Sequence, residues 1–168
     1  PLPTEIEISE SGVCNRKCSF CPRSAPDFKE VKEFIDEKLY LKLCLELKEF
    51  DYRGTIRFSG FVEPLLDKNI FNLISLTRSN LPSCNIEVVT NGDPLNLSRL
   101  KKLFLSGLNR LLISSYDGEK ETKELEKLCE EAKLQESQYL IRRRYLPEEQ
   151  DFGITLSNRS GLMENAEF

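Results

Sequence analysis

Residues 86–118 read IEVVTNGDPLNLSRLKKLFLSGLNRLLISSYDG, and this stretch decides the fold. Ile86 to Thr90 is short, rich in β-branched residues and closed by Asn91-Gly92, as a strand ending in a turn should be. Leu100, Leu103 and Phe104 then fall at helical spacing, and Gly107 is well placed to end that helix. Leu111 to Ser114 is a second apolar run of strand length. Strand, helix and strand within about 30 residues make a parallel βαβ unit.

The same rhythm extends both ways. Glu5 to Ser9 alternates apolar and polar residues and reads as a first strand. Asp36 is placed to cap a helix whose inner face carries Tyr40, Leu43, Cys44 and Leu47. Thr55 to Ser59 is the next strand, and Asp67 is placed to cap a helix with Ile70, Phe71 and Ile74 inward. After the quoted unit, Leu125, Leu128, Cys129 and Ala132 line a fourth helix. Tyr139 to Leu146 reads as a fifth strand, and Phe152 to Leu156 as the start of a sixth. Alternating strands and helices imply parallel strands with right-handed crossovers. A closed eight-fold barrel needs roughly 200 residues or more, and the chain has 168. The expected fold is therefore α/β, a partial (β/α) barrel of five or six parallel strands with outer helices. Periodicity alone also permits a doubly wound flat sheet.

Composition bounds the function. The chain is 39% hydrophobic and 31% charged, a globular balance with room for one sizeable core. No apolar run is long enough to span a bilayer, so a membrane partner is not expected. A net charge of -4 argues against general nucleic-acid binding. There is no histidine, which excludes Ser-His-Asp and Cys-His catalysis and histidine-bearing zinc sites within these residues. Pro1 stands where an initiator methionine is expected, so the chain reads as a domain excised from a longer protein.

The unusual residues follow the carboxyl ends of the strands. Cys14, Cys18 and Cys21 follow the first, in the spacing C-x3-C-x2-C. Ser59 to Pro64 follows the second strand, Thr90-Asn91-Gly92 closes the third and Ser115-Tyr116-Asp117-Gly118 the fourth. In parallel α/β folds those ends share one rim, where ligands bind. Three thiolates on one loop suit a soft metal centre. Three ligands are one short of a closed structural zinc site, and a cube held by three cysteines leaves one iron open. A zinc site completed by a distant cysteine, or three free thiols, are the alternatives. Cys44 and Cys129 lie on apolar helical faces and read as core packing, while Cys84 has no specific role. Half of the cysteines crowd into one loop and no disulfide set is evident, which points to a reducing cytoplasm.

These motifs resemble the radical S-adenosylmethionine (radical SAM) enzymes. The resemblance rests on C-x3-C-x2-C with Phe20 before its last cysteine, Ser59-Gly60-Phe61-Val62-Glu63-Pro64 in place of Gly-Gly-Glu-Pro, Thr90-Asn91-Gly92, and Ser115-Tyr116-Asp117-Gly118, all in the family's order. Asn158-Arg159-Ser160-Gly161 is similar to the junction before the SPASM or twitch extension. The resemblance thus implies a core over residues 1–157 and the start of a C-terminal extension over 158–168. It implies a [4Fe–4S] cluster on Cys14, Cys18 and Cys21. It also implies S-adenosylmethionine held by Ser59, Gly60, Glu63, Asn91, Ser115 and Asp117, with Arg143 chosen from the run Arg142-Arg143-Arg144. Val62 departs from the pattern, where related segments often carry Gly. Arg16 and Lys17 either offset cluster charge or are solvated.

The implied activity is reductive cleavage of S-adenosylmethionine to a 5′-deoxyadenosyl radical that abstracts hydrogen from a substrate. The implied partners are a flavodoxin- or ferredoxin-like reductant and a peptide, protein or small-molecule substrate. The rival is a non-catalytic zinc or iron–sulfur module for interaction or electron transfer.

Overall fold

The computed structural model describes residues 2–145. The expected sixth strand and the junction at Asn158–Gly161 lie outside them. Five strands, β1 (Glu5–Ile8), β2 (Thr55–Phe58), β3 (Asn85–Thr90), β4 (Arg110–Ser115) and β5 (Tyr139–Arg143), form one parallel sheet in the order β1-β2-β3-β4-β5. Helices α1 (Glu37–Glu49), α2 (Ile70–Asn80), α3 (Leu97–Leu105) and α4 (Glu119–Glu131) connect them. Strand order follows chain order without reversal. A doubly wound sheet reverses at a switch point, so this winding is that of a partial barrel.

Alternation within the strands decides what each face touches. Ile56 and Phe58, Ile86 and Val88, Leu111 and Ile113 are buried in one cluster with Tyr40, Cys44, Leu73, Leu100, Leu103 and Cys129 of the helices. Ile6, Ile8, Tyr139 and Ile141 pack against its edges. The intervening residues face the opposite way, into the barrel lumen, and most are polar: Glu5, Glu7, Arg57, Glu87, Arg110, Ser114 and Arg142. Arg57 forks across neighbouring strands, to Glu87 at 2.8 and 3.0 Å and to Glu5 at 2.6 Å.

The helix signals hold with one correction. Asp36 caps α1 by accepting from the Leu39 amide at 2.9 Å. Asp67 does not cap α2, which starts three residues later with Asn69 as its N-cap. Asp67 instead accepts from the Asn69 amide at 2.8 Å and closes the short 3-10 turn Pro64–Leu66. Phe71 is only partly buried, while Leu73 and Thr77 share the inner face of α2 with Ile70 and Ile74. Gly107 follows α3 with φ +108, a left-handed conformation suited to glycine. Cys44 and Cys129 are core residues, and the buried Cys84 thiol donates to the Tyr52 carbonyl at 3.2 Å.

Candidate functional site

The loop between β1 and α1 carries the three clustered cysteines. Cys14, Cys18 and Cys21 are half-buried, whereas Cys44, Cys84 and Cys129 are fully buried. The Cys21 amide donates to the Cys18 carbonyl at 2.9 Å, and the Arg16 amide to Cys14 Sγ at 3.4 Å. Burial pushes the Cys14 and Cys18 thiols up, and each lies within electrostatic reach of Cys21. A metal that binds here must displace those protons. Among the described residues no three Cys, Asp or Glu side chains are arranged to hold a single metal ion. A tetrahedral zinc site needs that convergence. An iron–sulfur cube meets each cysteine at a different iron, and three half-buried thiols on one loop suit such a group.

Bonds to three strand ends fix the loop. Toward β2, the Glu63 amide donates to the Val13 carbonyl at 2.8 Å, and Arg23 donates to the carbonyls of Gly12 and Phe61 at 2.9 and 3.2 Å. Toward β3, Asn91 donates to Asn15 at 2.8 Å, and Asn15 to Asp93 at 2.6 Å. Toward β4, Phe20 stacks on Tyr116 with ring centroids 5.5 Å apart, and Arg16 reaches Asp117 and Glu121.

The residues expected at the rim divide into two groups. Gly60 lies exposed with φ +118, and a Cβ there would sit 2.2 Å from Ser9 Oγ. The adjacent Ser59 carbonyl accepts from Ser9 Oγ at 2.9 Å. Glycine is required here by the positive φ and by the close approach of Ser9. Asn91 touches the cysteine loop directly, its Nδ2 lying 3.9 Å from Cys14 Sγ. The Asp117 side chain is 65% exposed at the mouth.

The other three are placed differently. Glu63 is 1% exposed, and both its oxygens are taken: Oε1 by the Thr90 hydroxyl at 2.7 Å and the Leu65 amide at 3.1 Å, Oε2 by the Asn91 amide at 2.7 Å. Through these bonds Glu63 ties the β2 and β3 loops together at the rim. Ser115 is likewise bonded within the protein. It is fully buried toward α4, donating to Glu121 at 2.7 Å beside Thr122 at 2.9 Å. Arg143 pairs in register with Ser115 and so shares its helix-facing side. It lies 56% exposed near Glu119 and Glu126, at 3.7 and 3.8 Å. Arg142 is the strand's lumenal arginine; its buried Nε has no acceptor, and burial beside Arg144 lowers its pKa.

Three acidic residues escaped the sequence reading. Asp93 continues Thr90-Asn91-Gly92 and was legible as part of that strand end. Glu121 is an ordinary first-turn acid in sequence, yet its Oε2 accepts from Ser115 Oγ and from the Tyr116 and Asp117 amides at 2.7, 2.7 and 2.8 Å. Glu10, just past β1, is buried with Oε2 unpartnered, and burial pushes its carboxyl up to about 7.

Comparison with known proteins agrees with this geometry. The chain is 35% identical over 115 residues to an S-adenosyl-L-methionine-dependent 2-deoxy-scyllo-inosamine dehydrogenase of Niallia circulans, across 68% of this chain and 46% of that protein. It therefore spans about half the length of that relative. The crystal structure of BtrN in complex with AdoMet and 2-DOIA superposes with a TM-score of 0.80 at 28% identity, covering 99% of this chain and 64% of the other. Methylornithine synthase (PylB) shares the fold, with a TM-score of 0.55 at 17% identity, over 82% of this chain and 42% of that one. The model of the radical SAM superfamily, whose enzymes use a [4Fe–4S] cluster and S-adenosylmethionine, matches residues 8–147. The chain belongs to the radical SAM superfamily.

Proposed function

We propose that the whole protein is a radical SAM enzyme of the oxidoreductase type acting on a small hydroxylated substrate. The observation that carries this is the trio of half-buried thiols on one loop, tied to the strand-end rim beside a polar inner face of the sheet. When bound, the cluster on Cys14, Cys18 and Cys21 supplies the electron that cleaves S-adenosylmethionine to methionine and a 5′-deoxyadenosyl radical, the abstractor of substrate hydrogen.

The chain's own residues prepare the place for that chemistry. The Ser59 carbonyl and the backbone at Gly60 receive the methionyl ammonium, Asn91 holds the loop at Cys14, and Asp117 accepts from the ribose hydroxyls. Glu7, Arg57, Glu87, Ser114 and Arg142 line the lumen with hydrogen-bonding groups. Such a lining suits a polyhydroxylated molecule better than an apolar one. The similarity to a dehydrogenase of an aminocyclitol supports oxidation at a carbon bearing a hydroxyl group. A flavodoxin- or ferredoxin-like protein supplies electrons, the compartment is the cytoplasm, and a SPASM- or twitch-type extension follows residue 157. No helix among the described residues is long and apolar enough to cross a membrane.

The test is anaerobic reconstitution of the full-length protein with iron and sulfide, followed by dithionite and S-adenosylmethionine. Formation of 5′-deoxyadenosine is expected. A fully loaded protein that forms none is an electron carrier, and stoichiometric zinc after anaerobic purification makes the loop a structural site; either result defeats the proposal.

A further inference from the structure

A single side chain ties the cysteine loop to the far side of the rim. Arg16 lies between Cys14 and Cys18, is 17% exposed, and commits all three guanidinium nitrogens to carboxylates. Nε and Nη2 donate to Asp93 at 2.7 and 2.5 Å. Nη1 and Nη2 donate to Asp117 at 3.0 and 2.8 Å, and Nη2 also to Glu121 at 3.1 Å. The guanidinium lies 5.3 Å from the centroid of the Tyr116 ring. The Asp93 carboxyl is held below its ordinary value by this contact.

The acceptors are themselves fixed. Glu121 holds the amides of Tyr116 and Asp117, so the loop after β4 has bonds of its own that do not involve Arg16. Asp93 is held by Asn15 and by its own amide, which donates to Asn91 Oδ1 at 3.0 Å. Three acids around one base leave the group net negative. Asp117 remains largely open to solvent despite its two bonds, so its carboxylate keeps acceptor capacity toward the rim. Two carboxylates on different loops are bridged by a planar fork, a geometry that a lysine ammonium does not reproduce.

We propose that Arg16 is a positioning residue that fixes the cysteine loop against the Asp93 and Asp117 rim, so that its guanidinium is required for nucleoside binding and dispensable for holding the cluster. The inference rests on the reading of the loop and rim given under Proposed function. Arg16 acts through Asp93 and Asp117, and no contact of its own with a ligand is invoked.

The experiment compares wild type, Arg16→Ala, Arg16→Lys and Asp93→Asn in the full-length protein after anaerobic reconstitution. Iron and sulfide content, and dissociation constants for S-adenosylmethionine and for methionine, are measured by chemical analysis and equilibrium dialysis. All four proteins are expected to load iron and sulfide equally and to bind methionine alike. The S-adenosylmethionine dissociation constant should rise at least tenfold in the three variants, with Arg16→Lys no better than Arg16→Ala. Asp93→Asn removes the same tether from its other end, so the result survives misfolding of one variant. Wild-type affinity in Arg16→Ala, restoration by Arg16→Lys, or parallel loss of cluster in the variants overturns the assignment of Arg16. A wild-type protein that binds no S-adenosylmethionine defeats the underlying reading as well, and is told apart by that control.

Discussion

Replacing Glu10 by Gln should change how stability depends on pH by about 3 kcal/mol. Glu10 is 1% exposed, accepts one bond from the Ser11 hydroxyl at 3.1 Å, and has Oε2 unpartnered. Burial is the main cause of its raised pKa, with the nearby Asp67 and Glu63 carboxylates adding to it. Its carboxyl moves from 4.5 to about 7 on folding. In that interval the unfolded chain has released the proton and the folded chain keeps it. Stability from this group is therefore complete below the unfolded value and lost as pH rises through the folded one. At 1.36 kcal/mol per pK unit, the interval is worth about 3 kcal/mol. Glutamine imitates the protonated acid and does not titrate. Equilibrium urea unfolding of wild type and Glu10→Gln, followed by far-ultraviolet circular dichroism from pH 4.5 to 8, gives the difference directly. Titration of Asp67 and Glu63 is common to both proteins and largely cancels. The variant should gain about 3 kcal/mol on wild type between pH 4.5 and 8. A difference that stays flat across that range refutes the reasoning.

Three further outcomes are expected. Cys18→Ala should abolish both iron–sulfide loading and cleavage of S-adenosylmethionine, whereas Cys44→Ala should load fully and lose about 1–2 kcal/mol in urea unfolding, because it opens a small core cavity. Gly60→Ala should cost about 1–3 kcal/mol, from its positive φ and the 2.2 Å approach to Ser9 Oγ, and should weaken S-adenosylmethionine binding in dialysis. Arg143→Ala should leave that binding unchanged and move stability by no more than about 0.5 kcal/mol, since its two ion pairs are long and exposed.

The sequence was most informative where chemistry and periodicity coincide. The division of the cysteines was legible because Cys44 and Cys129 repeat at helical spacing and Cys14, Cys18 and Cys21 do not. The choice between barrel and flat sheet was not legible, because it depends on which strands pair, a long-range fact that local alternation does not carry. Arg143 shows a second limit. Its strand begins Tyr139-Leu140-Ile141, apolar on both faces, so alternation gave no phase. Packing supplies it: Tyr139 and Ile141 touch the core, while Leu140 is exposed. Glu63 shows a third. The motif located the residue but not its direction, and a buried carboxylate turns to whatever donors surround it, here the Thr90 hydroxyl and two amides.

The charged face of the sheet links this fold to its chemistry. Parallel strands covered on both sides by helices are almost continuously apolar. Here β1 reads Glu-Ile-Glu-Ile and β2 reads Thr-Ile-Arg-Phe, with the polar members inward. A helical layer over that face would bury Glu5, Glu7, Arg57 and Glu87 against apolar side chains, and several charges would then lack partners at a cost of several kcal/mol each. Once the strand pairing is known, the charged inner positions agree with it: they suit an uncovered face better than one packed under helices. The rim loops that bring thiols, glycine backbone and Asp117 together open onto that lumen, since both belong to the carboxyl ends of the same strands. The proposed reaction at the cysteine loop would thus face hydrogen-bonding groups on the inner strand positions. The polarity of the inner strand positions, more than any one motif, is what the proposal of a hydroxylated substrate rests on.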